Sequence, residues 1–404
     1  MVNNKTLSVF IAIVMLSSSL ALVASTIPDP QSASLNVYQY SSGQLNQVFH
    51  PAYITDYSTA YQPYAEKVKT YGTTIGGGSF IVKNISCTYE PCYSNYNPYN
   101  RAIYTGIAGI GELIMINSSN TISNKITGVN PKFFSFNPQN GNLYVTNCIN
   151  NEVCIYNSSL SLLHKINVSA RPLGVVFDPA NGYALVSHCQ NSQVNVIAAN
   201  GTFVNNFSLP AGFVDRFTQG IYDPLNKEVY IAANNSVSTG ELFGINASAA
   251  INIFIPLSIN PSGLALNSFN GYLYVGSAFT RDALVVAQNG SIVGNIAMPS
   301  CPNSALFDPY NNYTYVTTDC GNVAIINSKD HLVADPYLGH FPEGVGYSPT
   351  TTDLYISNGN TNNYHVSVIS SNAYYSAYEV NFTNVKLPSG TEWYVNLSDG
   401  QSFS

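Results

Sequence analysis

Short apolar stretches alternate with polar turns along most of this chain. Gly174-Val175-Val176-Phe177 has the continuous apolar character of a buried strand. Val194-Asn195-Val196-Ile197 has the period of two expected of a strand with one buried face. One turn recurs seven times: Asn97-Pro98-Tyr99-Asn100, Asn137-Pro138-Gln139-Asn140, Asp178-Pro179-Ala180-Asn181, Asp223-Pro224-Leu225-Asn226, Asn267-Ser268-Phe269-Asn270, Asp308-Pro309-Tyr310-Asn311 and Ser348-Pro349. Successive starts are 40, 41, 45, 44, 41 and 40 residues apart. In such a turn Asp or Asn caps through its side chain, Pro presets φ, and Asn or Gly accepts φ > 0. A strand precedes each turn and another follows it. A polar loop, a third strand, a hairpin turn such as Asn200-Gly201 and a fourth strand such as Phe203–Phe207 complete the repeat. Four antiparallel strands in about forty residues make a propeller blade. The pattern therefore predicts an all-β chain, a seven-bladed β-propeller of four-stranded antiparallel blades over residues 75–375. Ser79–Lys83 reads as a strand ahead of the first repeat. It is expected to serve as the fourth strand of the last blade, joining the ends of the ring and removing open edges.

The second strand of the second repeat is Leu143-Tyr144-Val145-Thr146-Asn147, and Tyr315-Val316-Thr317-Thr318 and Tyr274-Val275-Gly276-Ser277 are near copies. Ahead of the first strands stand Asn130-Pro131, Arg171-Pro172-Leu173-Gly174, Asn260-Pro261-Ser262-Gly263 and Phe341-Pro342-Glu343-Gly344. In these elements residues 79–372 resemble the YVTN β-propeller repeats of surface-layer and other exported proteins of archaea and bacteria. The resemblance implies a propeller at the cell surface; it is specific for fold and weak for activity, because propellers host many functions.

The flanks differ in character. Residues 1–24 carry Lys5 and then an apolar stretch to Ala24, the form of a secretory signal peptide, with an uncleaved membrane anchor as the alternative. Residues 25–74 are rich in Ser, Tyr and Gln and read as a leader or linker. Residues 376–404 begin a second β-sandwich module that is expected to be truncated. Its Leu387-Pro388-Ser389-Gly390-Thr391-Glu392-Trp393-Tyr394-Val395 resembles the opening of modules in thermopsin-like archaeal exported proteins, with Lys386 where those have Gly.

Composition narrows the function. Only 9% of residues are charged, and 14 Lys and Arg with no basic run argue against nucleic acid as a partner. Twelve Asn-x-Ser/Thr sequons follow the leader and agree with export: Asn84, Asn117, Asn157, Asn167, Asn200, Asn206, Asn234, Asn246, Asn289, Asn312, Asn381 and Asn396. In an exported chain the seven cysteines read as disulfides. The repeat register suggests Cys301–Cys320, Cys148–Cys154 and Cys87–Cys92, leaving Cys189 over. A metal site of Cys189 with His188 is the weaker reading, since no Cys-x-x-Cys occurs.

Asp178, Asp223 and Asp308 begin repeated turns and are read as structural caps. The polar residues that the repeats do not share are Glu90, Arg171, Asp215, Arg216 and Glu343, before first strands, and His188, Asp319 and His340, near the same end. That loop face is the expected binding face. No catalytic triad, metalloprotease or phosphate-loop motif is present, and no cofactor or metal is expected. The expected function is a non-enzymatic, extracellular cell-surface scaffold for surface proteins or glycans. The alternative is a propeller enzyme, such as a lyase, a metal-dependent lactonase-like hydrolase or a quinoprotein, with its site at the central opening.

Overall fold

The computed structural model describes residues 81–371, apart from 190–191, 211–218, 235–238, 278, 340 and 360–363, and a few short paired strands outside that span. The chain divides into Ile81–Asn372 and a second unit formed by Met1–Phe80 with Ala373–Ser404. In the second unit Ile11–Leu16 pairs antiparallel with Ser19–Ala24, and Val37–Ser41 with Gln44–Val48. Such strands apart, the expected signal segment, the 25–74 linker and the 376–404 module lie outside the described residues. No helix among the described residues is long and apolar enough to cross a membrane.

Ile81–Asn372 is a seven-bladed β-propeller, each blade a four-stranded antiparallel sheet. Blade 2 shows the plan: Pro131–Phe136 is innermost, followed outward by Leu143–Asn147, Glu152–Tyr156 and Leu162–Asn167. The innermost strands of the other blades are Tyr93–Asn97, Pro172–Asp178, Ile221–Asp223, Pro261–Leu266, Pro302–Asp308 and Pro342–Ser348. Blade 7 takes three strands from its own repeat, and Ile81–Ser86 pairs with His365–Ser370 as the fourth. The ring is thus closed by the strand ahead of the first repeat, which covers the outer edge of the third strand of blade 7.

Burial falls with radius. The second strand of blade 2 is buried along its whole length, whereas the outermost is mostly exposed. The apolar clusters lie between neighbouring blades: Tyr104 and Leu113 of blade 1 pack with Phe134, Val145 and Cys154 of blade 2, and Val176 and Leu185 of blade 3 with Val229 and Phe243 of blade 4. Each blade therefore depends on its neighbour for its core.

The repeated residues have specific duties. Six second-strand tyrosines, Tyr104, Tyr144, Tyr230, Tyr274, Tyr315 and Tyr355, are fully buried. Burying a ring of this size contributes roughly 1.5–3 kcal/mol, provided that its hydroxyl finds a partner. In blades 1, 4 and 6 the partner is the turn asparagine: Asn100, Asn226 and Asn311 donate to Tyr104, Tyr230 and Tyr315 at 2.7, 2.8 and 2.8 Å. The threonine two residues further on fastens blade to blade. Thr146 Oγ1 lies 3.0 Å from both Phe133 O in its own blade and Leu173 O in the next.

The turn chemistry differs from expectation at one position. The fourth turn residue does not take φ > 0. In the second to sixth blades its Oδ1 accepts the backbone N–H two residues on, as Asn181 does from Tyr183 at 2.8 Å. The left-handed residue is the fifth: Gly141, Gly182 and Gly271, but also Arg101, Lys227, Asn312 and Thr352, whose φ values are 58°, 61°, 61° and 56°. The cap holds the chain in place, so four side-chain-bearing residues accept this strained conformation.

Candidate functional site at the loop-face opening

Each inner strand starts at the loop face, and in six blades a proline stands six residues before the turn start: Pro91, Pro131, Pro172, Pro261, Pro302 and Pro342. The next side chain reaches to the proline carbonyl of the following blade. Cys92 Sγ lies 3.3 Å from Pro131 O, Ser262 Oγ 2.6 Å from Pro302 O, and Asn303 Nδ2 3.3 Å from Pro342 O. This belt of neutral donors ties inner strands together around the axis.

Blades 2 and 7 break the belt with charge. Lys132 and Glu343 occupy the belt position, and their side chains meet over blade 1 at 3.4 Å. Glu90 joins them: its carboxylate lies over Gly359, where an added Cβ would come within 2.6 Å of Oε1. Burial holds the Glu90 carboxyl above its ordinary value; Glu343 adds to this and Lys132 opposes it. Burial pulls the Lys132 ammonium down, but Glu343, Cys92 and Glu90 lift it above its usual value. Burial pushes the Cys92 thiol to about 11. With 42% and 30% of the two side chains exposed, the Lys132–Glu343 pair adds less than about 1 kcal/mol to stability. It is free to exchange its partner.

Gln219 of blade 4 donates to Phe134 O of blade 2 at 3.3 Å, reaching past the inner strand of blade 3. Tyr93 packs against Phe133 and Phe134 with ring centroids 5.3 and 5.0 Å apart. These contacts join the inner strands of blades 1, 2 and 4.

Among the sequence-nominated residues, the structure brings Glu90 and Glu343 together. Arg171 stands exposed in the blade 2 to blade 3 connection, its N–H donating to Asn151 Oδ1 at 2.8 Å. Asp319 caps the blade 6 sheet, its N–H 3.0 Å from Cys301 O. His188 is fully buried, with Nδ1 3.2 Å from Ala170 O, and cannot meet a partner. Asp215, Arg216 and His340 lie outside the described residues. Lys132 is the residue that sequence reasoning missed. Its signal was its place in the repeat, directly after the proline, as Glu343 is.

The disulfide expectations are corrected: all seven cysteines are free thiols. Asn147 pairs with Glu152, so Cys154 lies two residues inward of that pair and Cys148 one outward. At about 3.3 Å per residue their Cα atoms are roughly 10 Å apart, beyond disulfide reach. Cys301 O accepts from Asp319 N–H, so Cys320 lies one residue beyond the position facing Cys301, in the turn that follows the strand. Cys87 follows the outermost strand of blade 7, whereas Cys92 touches the innermost strand of blade 2. No group of three His, Cys, Asp or Glu side chains that could hold a metal ion occurs among the described residues.

Among the sequons, Asn117, Asn157, Asn200, Asn246 and Asn289 cap third-to-fourth-strand hairpins. Asn167 and Asn206 sit on exposed outer strands, and Asn84 is on the closing strand, accepting from Ser367 at 3.0 Å. Asn312 takes the left-handed turn position, and Asn234 is only 3% exposed, which removes it as an attachment point. The side chains of Asn381 and Asn396 lie outside the described residues.

No family model and no curated protein matches the chain. Solved structures do. Kuenenia stuttgartiensis hydrazine synthase superposes with a TM-score of 0.61 at 15% identity, over 72% of this chain and 98% of that one. A streptogramin B lyase gives 0.59 at 11% identity, over 71% and 96%. The WD40 repeats of RRP9 give 0.59 at 11% identity, over 72% and 97%. Identities this low show the propeller fold alone.

Proposed function

We propose that this chain is a non-enzymatic, exported cell-surface propeller of the YVTN type, serving as a binding or structural scaffold for surface proteins or glycans. The observation that carries the reading is the break in the neutral belt. The fold is satisfied by Cys92, Ser262 and Asn303 at that position, so it does not require Lys132 and Glu343. With Glu90 they make a mixed-charge mouth in a protein where charge is scarce. Such a mouth offers a forked acceptor and a cation to a polar partner, and both are wet enough to exchange. The test is co-sedimentation of the purified chain with envelope sheets from its source cells. The Lys132→Met, Glu343→Gln double variant should lose at least about tenfold in apparent affinity, with its melting temperature unchanged. Unchanged sedimentation would refute the site.

One observation favours the enzymatic alternative. A raised carboxyl, Glu90, beside Lys132 is the kind of pair used for acid–base chemistry. A lyase, lactonase-like or quinoprotein activity would then be abolished by Glu90→Gln, whereas scaffold binding would be only weakened.

A further inference from the structure

The turn face carries a second opening, opposite the loop-face mouth. It is a cavity of about 230 Å³ to which blades 1, 2, 3 and 4 all contribute, so it lies over the axis rather than in one groove between blades. Four aromatic residues line it, Tyr96, Phe136, Phe177 and Tyr222, each the last residue before a turn; the two tyrosines are half-buried, whereas Phe136 and Phe177 are only 7% and 4% exposed. Pro98, Pro138 and Pro179 form the rim. Toward the loop face, Gln219 and Tyr93 contact Phe134 and Phe133 of the blade 2 inner strand.

Its polar groups are neutral, and their free capacity is for donating. Asn95 Oδ1 accepts from Tyr96 N at 2.8 Å, which leaves the amide hydrogens of Asn95 unused. Ser135 Oγ accepts from Phe177 N at 3.0 Å, which leaves its hydroxyl hydrogen to donate. The Tyr222 hydroxyl has no hydrogen-bond partner among the described residues; burial, and then Asp178 and Asp223, raise it above its ordinary value and keep its proton in place. The Tyr96 hydroxyl is already 2.8 Å from Thr350 Oγ1. No lining residue is acidic or basic.

We infer that this turn-face cavity binds one neutral sugar ring, with the Tyr96 and Tyr222 rings against the C–H face and Asn95, Ser135 and Tyr222 donating to sugar oxygens. Three features select that ligand class. The volume falls below the roughly 300–1,000 Å³ usual for drug-sized ligands, so a single ring is the right scale. Aromatic faces with neutral donors suit a molecule that is apolar on one side and hydroxylated at its edge. The neighbouring carboxyls of Asp178 and Asp223 disfavour anionic sugars. A proline-rich peptide, which also favours Tyr and Pro, needs an elongated groove rather than an axial cup. The inference does not rest on the loop-face reading, because the two sites share no residue.

Saturation-transfer NMR on the purified chain tests it, with glucose, mannose, galactose and N-acetylglucosamine as probes at millimolar concentration. Glucuronate and hexaproline serve as comparisons. At least one neutral sugar should receive saturation. The Asn95→Ala, Tyr222→Phe double variant keeps the ring packing and should weaken that sugar by about tenfold. Lys132→Met, at the other mouth, should leave it unchanged. Thermal melts establish that each variant is folded. The inference is overturned if no sugar receives saturation, if the double variant binds as well as the parent, or if hexaproline displaces the sugar.

Discussion

Replacing Asp178, Asp223 and Asp308 together by Asn should stabilise the propeller near neutral pH and make no difference in acid. Each carboxylate is fully buried at the start of a turn. Oδ1 accepts one backbone N–H, from Ala180, Leu225 or Tyr310, at 2.8 Å, whereas Oδ2 has no hydrogen-bond partner. Burial accordingly holds all three above the usual carboxylate range. A folded-state value above the unfolded one means that these groups favour the fold when protonated. Their contribution is complete below the unfolded value of about 3.9 and is lost as pH rises through the raised folded value. The fold supplies its own control, because Asn97, Asn137 and Asn267 fill the same position in three other blades with equivalent caps at 3.0, 2.9 and 2.9 Å. An unpartnered buried charge costs about 1 kcal/mol, so the triple variant should gain about 3 kcal/mol at pH 7. For a domain of this size that is roughly 4–6 °C in melting temperature. Melts followed by circular dichroism from pH 3 to 8 read the effect. The gap between variant and parent should close as pH falls toward 4. A gap that stays constant over the range, or a variant less stable at pH 7, would refute the reasoning.

Other expectations follow from the packing. Thr146→Val leaves two inner-strand carbonyls without their shared donor and should cost about 1–2 kcal/mol in urea unfolding; a change within error would show that the link between blades carries no energy. Deleting residues 81–86 removes the fourth strand of blade 7 and should abolish the single cooperative melt; an unchanged transition would mean that the ring does not depend on its closure. In a thiol titration of the native protein, exposed Cys320 should react first, whereas buried Cys92 and Cys154 should wait for unfolding. Fewer than seven thiols in the denatured, unreduced chain would contradict the free-cysteine assignment.

Blade number, blade boundaries and the closing strand were legible in the sequence because local chemistry dictates them. A cap and a left-handed residue recur at every inner hairpin, with a proline after the cap in six of the seven, so their spacing counts the blades. Buried tyrosines need partners, and Asn100, Asn226 and Asn311 recur at the same offset for that reason. Ring closure alone decided the rest. Lys132 and Glu343 are 211 residues apart and meet only because blades 2 and 7 flank blade 1. The turn-face cavity exists only where four inner strands converge. The cysteine pairs failed because repeat spacing places a residue near an end of a blade but resolves neither its cross-strand partner nor its distance from it: Cys148 and Cys154 lie three residues out of register, and Cys301 faces Asp319 rather than Cys320. Sequence periodicity reports what each blade needs from its own backbone; contacts across the axis depend on how blades are set around the ring, which no single repeat encodes.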